Sequence, residues 1–85
     1  MPVLNIKVYS KDNCMACKMT KKWLTKMSVP FEEINISTLP EAESNKVIGF
    51  LRNEVRLTSL PVITADGEEP FSGFDISKLR KISTK

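Results

Sequence analysis

A chain of 85 residues has room for one hydrophobic core and no second domain, and 41% apolar with 27% charged residues is the composition of an ordinary globular protein. Thirteen basic and ten acidic residues leave a net charge of +3 with no arginine cluster, which argues against nucleic acid as a partner. No apolar run approaches the ~18 residues of a membrane span, and the start, Met-Pro-Val-Leu-Asn-Ile-Lys, lacks the charged-then-apolar pattern of a secretory signal, so a cytoplasmic protein with no membrane partner is expected.

In chain order, Val3 to Tyr9 reads as a strand of nearly continuous β-formers, with Asn5 and Lys7 interrupting one face. Ser10-Lys11-Asp12-Asn13 is a loop rich in helix-capping side chains. From Cys14 to about Met27 the spacing predicts a helix. Leu24, Thr20, Met27, Ala16, Trp23 and Met19 share one arc, with Trp23 expected in the core. Lys21, Lys18, Lys22 and Lys26 share the opposite one, expected to be solvated or to meet an acidic patch on a partner. Ser28-Val29-Pro30 ends the helix, because the residue before a proline avoids the α region.

Phe31 to Ile36 alternates as a short edge strand, and Thr38-Leu39-Pro40-Glu41 reads as a capping box that opens a second helix. Val47, Ile48, Leu51 and Val55 form that helix's apolar stripe, which Gly49 interrupts. Pro61 to Thr64 is a strand, Ala65-Asp66-Gly67 a turn, and Glu68 to Phe71 the second arm of a hairpin. Ser72-Gly73 breaks it, and a last helix runs from Phe74 or Asp75 to about Ile82. The order is β-α-β-α-β-β-α. A right-handed crossover makes the first two strands parallel, and the hairpin must be antiparallel. The fold class is therefore α/β, one domain over residues 1–85, with a mixed four-stranded sheet flanked by helices.

The chemistry concentrates at Cys14-Met15-Ala16-Cys17, where the first strand passes into the first helix. A helix N-terminus offers unsatisfied N–H groups and a partial positive charge, which stabilise a thiolate, the attacking species in thiol–disulfide exchange. Two cysteines three apart are neighbours on one turn and can close a disulfide. Cys14 is expected to be the exposed attacking thiol and Cys17, at the edge of the apolar arc, the shielded one that resolves the mixed disulfide. The charge is uneven: residues 1–31 carry six Lys against one Asp, so the cysteines lie in a basic half. Lys11 and Lys18 are expected either to add to thiolate stabilisation or simply to be solvated beside the loop. With two cysteines and no histidine, a zinc or iron–sulfur site needs a second chain to complete it. A structural disulfide would close too small a loop to constrain much.

These residues resemble the thioredoxin superfamily and, within it, the glutaredoxins. Val8-Tyr9-Ser10-Lys11 leading into Cys14-Met15-Ala16-Cys17-Lys18-Met19-Thr20-Lys21 is most similar to the NrdH-type redoxins. The resemblance implies a thioredoxin/glutaredoxin fold and a thiol–disulfide oxidoreductase. It implies electrons taken from thioredoxin reductase and given to class Ib ribonucleotide reductase. Glu33-Ile34-Asn35-Ile36 matches the family's second strand, and Leu60-Pro61-Val62-Ile63 the segment bearing its cis-proline. By that resemblance Pro61 has a cis peptide bond facing the cysteines, and Leu60 backbone groups pair with a substrate strand. Phe71-Ser72-Gly73-Phe74 resembles the family's Trp-Ser-Gly-Phe element, which puts Ser72, Gly73 and Phe74 near the site.

The chain has Ala16 where the redoxins usually have Gln, Phe71 where Trp is typical, and Asp75-Ile76 where Arg-Pro usually follows. An acid after Gly73-Phe74 is closer to the glutaredoxins, so Asp75 keeps glutathione open as a co-substrate; its alternative is the N-cap of the last helix. Met15 is expected to be exposed and to give partners an adaptable surface. The expected cofactor set is the Cys14–Cys17 disulfide with no bound group, and the expected state is a monomer.

Overall fold

The computed structural model describes residues 5–57 and 59–83. Its elements are β1 (Lys7–Ser10), α1 (Met15–Lys26), β2 (Glu32–Asn35), α2 (Glu41–Phe50) with a π-helical continuation (Leu51–Val55), β3 (Val62–Ala65), β4 (Glu68–Ser72) and α3 (Ile76–Ser83). The strands lie in the order β2-β1-β3-β4, with β1 parallel to β2 and antiparallel to β3, and β3 antiparallel to β4. This is the mixed four-stranded sheet, with β2 at an edge, that the sequence predicts.

β1 starts later than expected. Its ladder begins at Lys7, the first residue paired on both sides, with Glu32 and with Thr64; Val3 and Leu4 lie outside the described residues. The β3–β4 turn is two residues long, since Ala65 pairs with Glu68. Gly67 supplies the positive φ of +75° that a tight hairpin turn demands.

α1 buries Cys17, Thr20 and Leu24, a strip narrower than the periodicity suggests. Met19 and Met27, expected on the inward arc, are exposed. The strip at i, i+3 and i+7 faces the sheet, Trp23 packs at its margin, and Met19 and Met27 turn to water. Lys21, expected on the solvated arc, folds back onto β2, where its ammonium pairs with the Glu33 carboxylate.

The capping box is not formed. Pro40 is the N-cap of α2 and makes no side-chain bond. The Thr38 hydroxyl donates instead to the Asn35 carbonyl, and the Asn35 side chain accepts from the Ser37 amide, so a local turn uses these groups first. The α2 stripe continues at Leu51 and Val55 through a π-helical turn, closed by Arg56 in the left-handed region (φ 63°).

One core cluster, between the sheet and α1 and α3, comprises Ile6, Val8, Leu24, Ile63, Phe71, Leu79 and Ile82, with Trp23 and Phe74 packed at its margin. A smaller one, beneath α2 and its π-helical end, comprises Tyr9, Leu51 and Val62. No helix among the described residues is long and apolar enough to cross a membrane.

Candidate active site

The loop after β1 delivers Cys14 to the head of α1. Asn13 takes a left-handed turn (φ 58°), which Asn tolerates better than most residues, and Cys14 returns to an extended conformation as the N-cap. The loop is held to the end of β2. The Asp12 amide donates to the Ser37 hydroxyl (3.0 Å), and the Asn35 side-chain amide donates to the Asp12 carboxylate (3.1 Å). The capping side chains expected from Asp12 and Asn13 are thus not used on α1; the cap is the cysteine sulfur itself. Cys14 Sγ accepts a hydrogen bond from the Cys17 amide at 3.2 Å, and the Cys14 carbonyl accepts from the Lys18 amide at 3.1 Å.

Cys14 and Cys17 are joined as a disulfide, with Cα atoms 5.2 Å apart. The same Cys17 amide is placed to receive negative charge on Cys14 Sγ when the bond is reduced, at the end of the helix where the backbone dipole favours an anion. Cys14 is less exposed than the sequence suggests. It is 9% accessible and Cys17 is 0%, because the Leu60 carbonyl covers the Cys14 sulfur at 3.8 Å. The order of access is kept, and only Cys14 retains a window to solvent. Met15, between them, is 70% exposed.

The opposite lip is the Leu60–Pro61 bond, which is cis, with Pro61 buried. The Gly73 amide donates to the Pro61 carbonyl at 2.9 Å and ties the two loops together. Gly73 has φ +83°, a conformation that side chains disfavour, so glycine belongs at this bend. Ser72 pairs with Val62 at the end of the β3–β4 ladder. Thus Cys14, Cys17, Leu60, Pro61 and Gly73 form one contiguous patch. Phe74 instead packs against the larger core cluster. Asp75 caps α3: its carboxylate accepts from the Lys78 amide at 3.2 Å and its carbonyl accepts from the Leu79 amide. Phe71 is buried, with the Lys78 ammonium 5.7 Å from its ring centre.

Lys11 lines an open cleft of about 250 Å³ with Ile36, Ile48, Leu51, Arg52 and Leu60. Leu60 is common to this cleft and to the disulfide. Arg52 has no motif in the sequence to mark it; it reaches the cleft through the π-helical turn. Sequence reasoning also misses a polar cluster behind the site. Ser10, fully buried, donates to the Glu33 carboxylate at 2.8 Å, and Lys21 binds the same oxygen. Hydrogen bonding from Lys21, then from Ser10, holds the Glu33 carboxyl below the usual carboxylate range, although partial burial opposes this.

Comparison with known proteins agrees with this geometry. The glutaredoxin family profile matches residues 6–69. The glutaredoxin-like protein NrdH of Lactococcus lactis subsp. lactis (strain IL1403) is 47% identical over 78 residues, which cover 92% of this chain and 99% of that one. Among solved structures, the glutaredoxin from Archaeoglobus fulgidus superposes with a TM-score of 0.82 at 29% identity, covering 93% of this chain and 85% of that chain. The glutaredoxin-like NrdH-redoxin from Escherichia coli superposes with a TM-score of 0.68 at 28% identity, covering 92% and 93%. With its disulfide at the head of α1 and a matching fold, the chain belongs to the glutaredoxin family and, within it, to the NrdH-type glutaredoxin-like redoxins, thiol–disulfide oxidoreductases.

Proposed function

We propose that this single-domain protein is a monomeric cytoplasmic electron carrier that accepts electrons from thioredoxin reductase and delivers them to class Ib ribonucleotide reductase. The observation that carries the reading is the pair of unequally covered sulfurs at one helix head, in a chain close to the NrdH proteins. In the delivering direction, the Cys14 thiolate attacks one sulfur of the acceptor's disulfide and displaces the other as a thiolate. Cys17 then gives its proton to the displaced acceptor thiolate, attacks Cys14 Sγ and releases the second acceptor sulfur as a thiolate. Two electrons pass from the dithiol to the acceptor, and the Cys14–Cys17 bond closes. Leu60 and Pro61 are the backbone edge against which the acceptor chain lies. Met15, Ser72 and Gly73 form the rim, and Lys11 stands at the side.

The Escherichia coli NrdH-redoxin has a thioredoxin-like activity profile, which supports thioredoxin reductase as donor here. Glutathione is the second reading. It is favoured by the cleft beside Leu60, where Lys11 and Arg52 offer two cations to a carboxylate. It is weakened by Asp75, whose carboxylate is engaged in capping α3. A third reading is a non-catalytic module whose cysteines hold a metal or cluster between two chains; protein that is coloured, dimeric and inert toward insulin disulfides would favour it.

The test supplies the oxidised protein with NADPH and either thioredoxin reductase, or glutathione with glutathione reductase. NADPH consumption is expected with the first pair. Turnover with the glutathione pair alone would sink the reading. A second assay follows deoxyribonucleotide formation by a class Ib ribonucleotide reductase given this carrier.

A further inference from the structure

The solvent face of α1 carries a pattern that disulfide exchange itself does not use. At ~100° per residue, Met15, Lys18, Met19, Lys22 and Lys26 fall within roughly 100° of one another. All five are exposed, Met15 at 70% and Met19 at 45%. α1 contains no acidic residue. Lys21, outside this arc, pairs with Glu33, whereas Lys18, Lys22 and Lys26 have no ion-pair partner among the described residues. Their i, i+4, i+8 spacing places like charges next to each other, which weakens a helix unless something offsets it. The two methionines sit at i and i+4, and their flexible thioethers suit a surface that adapts to a partner. The stripe starts between the two cysteines and runs about 16 Å, the length of about five residues of extended chain.

We propose that this stripe is a docking track for an acidic segment of the protein that exchanges its disulfide at Cys14. Aliphatic side chains of the segment rest on Met15 and Met19, and its carboxylates face Lys18, Lys22 and Lys26. The proposal rests on the reading that the site reacts with proteins, and it names the chemistry of the partner's contacting segment. The occupant is acidic because the face offers only positive charge, and partly aliphatic because two thioethers break the row of lysines. This track lies on α1, away from the cleft that Lys11 and Arg52 line on the α2 side.

The experiment uses the reduced full-length protein and two synthetic peptides. Each carries one cysteine as a mixed disulfide with 5-thio-2-nitrobenzoate. In one the flanking residues are Glu, Asp and Leu; in the other Lys replaces the acids. Cys14 thiolate attacks the peptide sulfur and expels the yellow nitrothiobenzoate. Cys17 then attacks Cys14 Sγ and releases the peptide thiolate, so each peptide takes two electrons from the dithiol. A small neutral disulfide gives the reference rate for each variant.

The acidic peptide is expected to react roughly tenfold faster than the basic one at low salt, the lower end of electrostatic steering. That preference should shrink severalfold when salt shortens the screening length to about 3 Å near 1 M. It should vanish or invert in Lys22→Glu/Lys26→Glu. Met19→Ser should slow the acidic peptide about threefold relative to the neutral disulfide, a modest loss of apolar contact. Equal rates for the two peptides, or a preference that survives the double reversal, would overturn the track and leave disulfide exchange standing. Failure of both peptides, with the small disulfide still reacting, would overturn the track and the protein-acceptor reading together.

Discussion

On one side of the sheet, α1 and α3 enclose seven buried apolar side chains, from Ile6 to Ile82; on the other, α2 and its π-helical end cover three, Tyr9, Leu51 and Val62. α1 buries Cys17, Thr20 and Leu24, whereas α2 buries no residue, has no side-chain cap, and leaves Phe50 42% exposed against Tyr9. The disulfide stands where the two sides meet. The Cys17 sulfur, on α1, belongs to the tightly packed side, and the open cleft beside Leu60 belongs to the loose one. A sulfur that must return to one geometry in each cycle sits on the side that fixes it. The open cleft lies on the side with slack, while the lysine track uses the outer face of the fixed helix.

Substitutions test this contrast. The largest effect is on electron transfer: Cys14→Ser or Cys17→Ser should drop steady-state turnover to background while the far-ultraviolet dichroism persists. Cys17→Ser alone should accumulate a mixed disulfide with the acceptor, visible on a non-reducing gel. A double serine variant that still shuttled electrons would end the account.

Next comes stability. Leu24→Ala removes a fully buried side chain from the larger cluster and should cost about 3–5 kcal/mol in urea unfolding. Leu51→Ala, in the smaller cluster, should cost nearer 2–3 kcal/mol, the lower part of the same range. Equal losses would abolish the distinction between the two sides.

Gly49→Ala sharpens it from the other direction. Gly49 lies inside α2, has no positive φ, and an added Cβ meets nothing within 4 Å. The change should raise stability by about 0.4–1 kcal/mol through helix propensity and a less free unfolded chain. A loss of stability would mean that α2 is packed more closely than its exposure implies.

The smallest effect concerns pH. The folded protein holds the Glu33 carboxyl below its unfolded value, so its contribution is present above that value and disappears as pH falls through the folded one. Melting temperatures taken from neutral pH down to the acid side of the carboxylate range should therefore fall more steeply for the native chain than for Glu33→Gln. The difference is within ~1 kcal/mol, since both partners keep substantial contact with water. Parallel curves would remove Glu33 from the stabilising groups.

Much of this was legible in the residues. The alternation of Phe31 to Ile36, the Ala65-Asp66-Gly67 turn and the proline at 61 carry local rules, and the strands and hairpin follow them. The cysteine pair at a strand-to-helix junction announced its chemistry by position. What was not legible depends on contacts far apart in sequence. Thr38 has the pattern of a cap, yet Asn35 claims its hydroxyl. Lys21 shares a periodicity with three solvated lysines, yet Glu33 on β2 draws it inward. The modest exposure of Cys14 is set by a carbonyl 46 residues away, which no local pattern reports. Arg52 reaches the cleft through a π-helical turn, and the apolar stripe of α2 reads just as well as regular helix.

The amide–carbonyl link from Gly73 to Pro61 has a mechanical consequence. It extends the β3–β4 ladder one step past the Val62–Ser72 pair, so the bend after β4 and the bend before β3 share one hydrogen-bonded frame. A side chain that props apart the bend at 73 should loosen the grip at 60 without touching the disulfide.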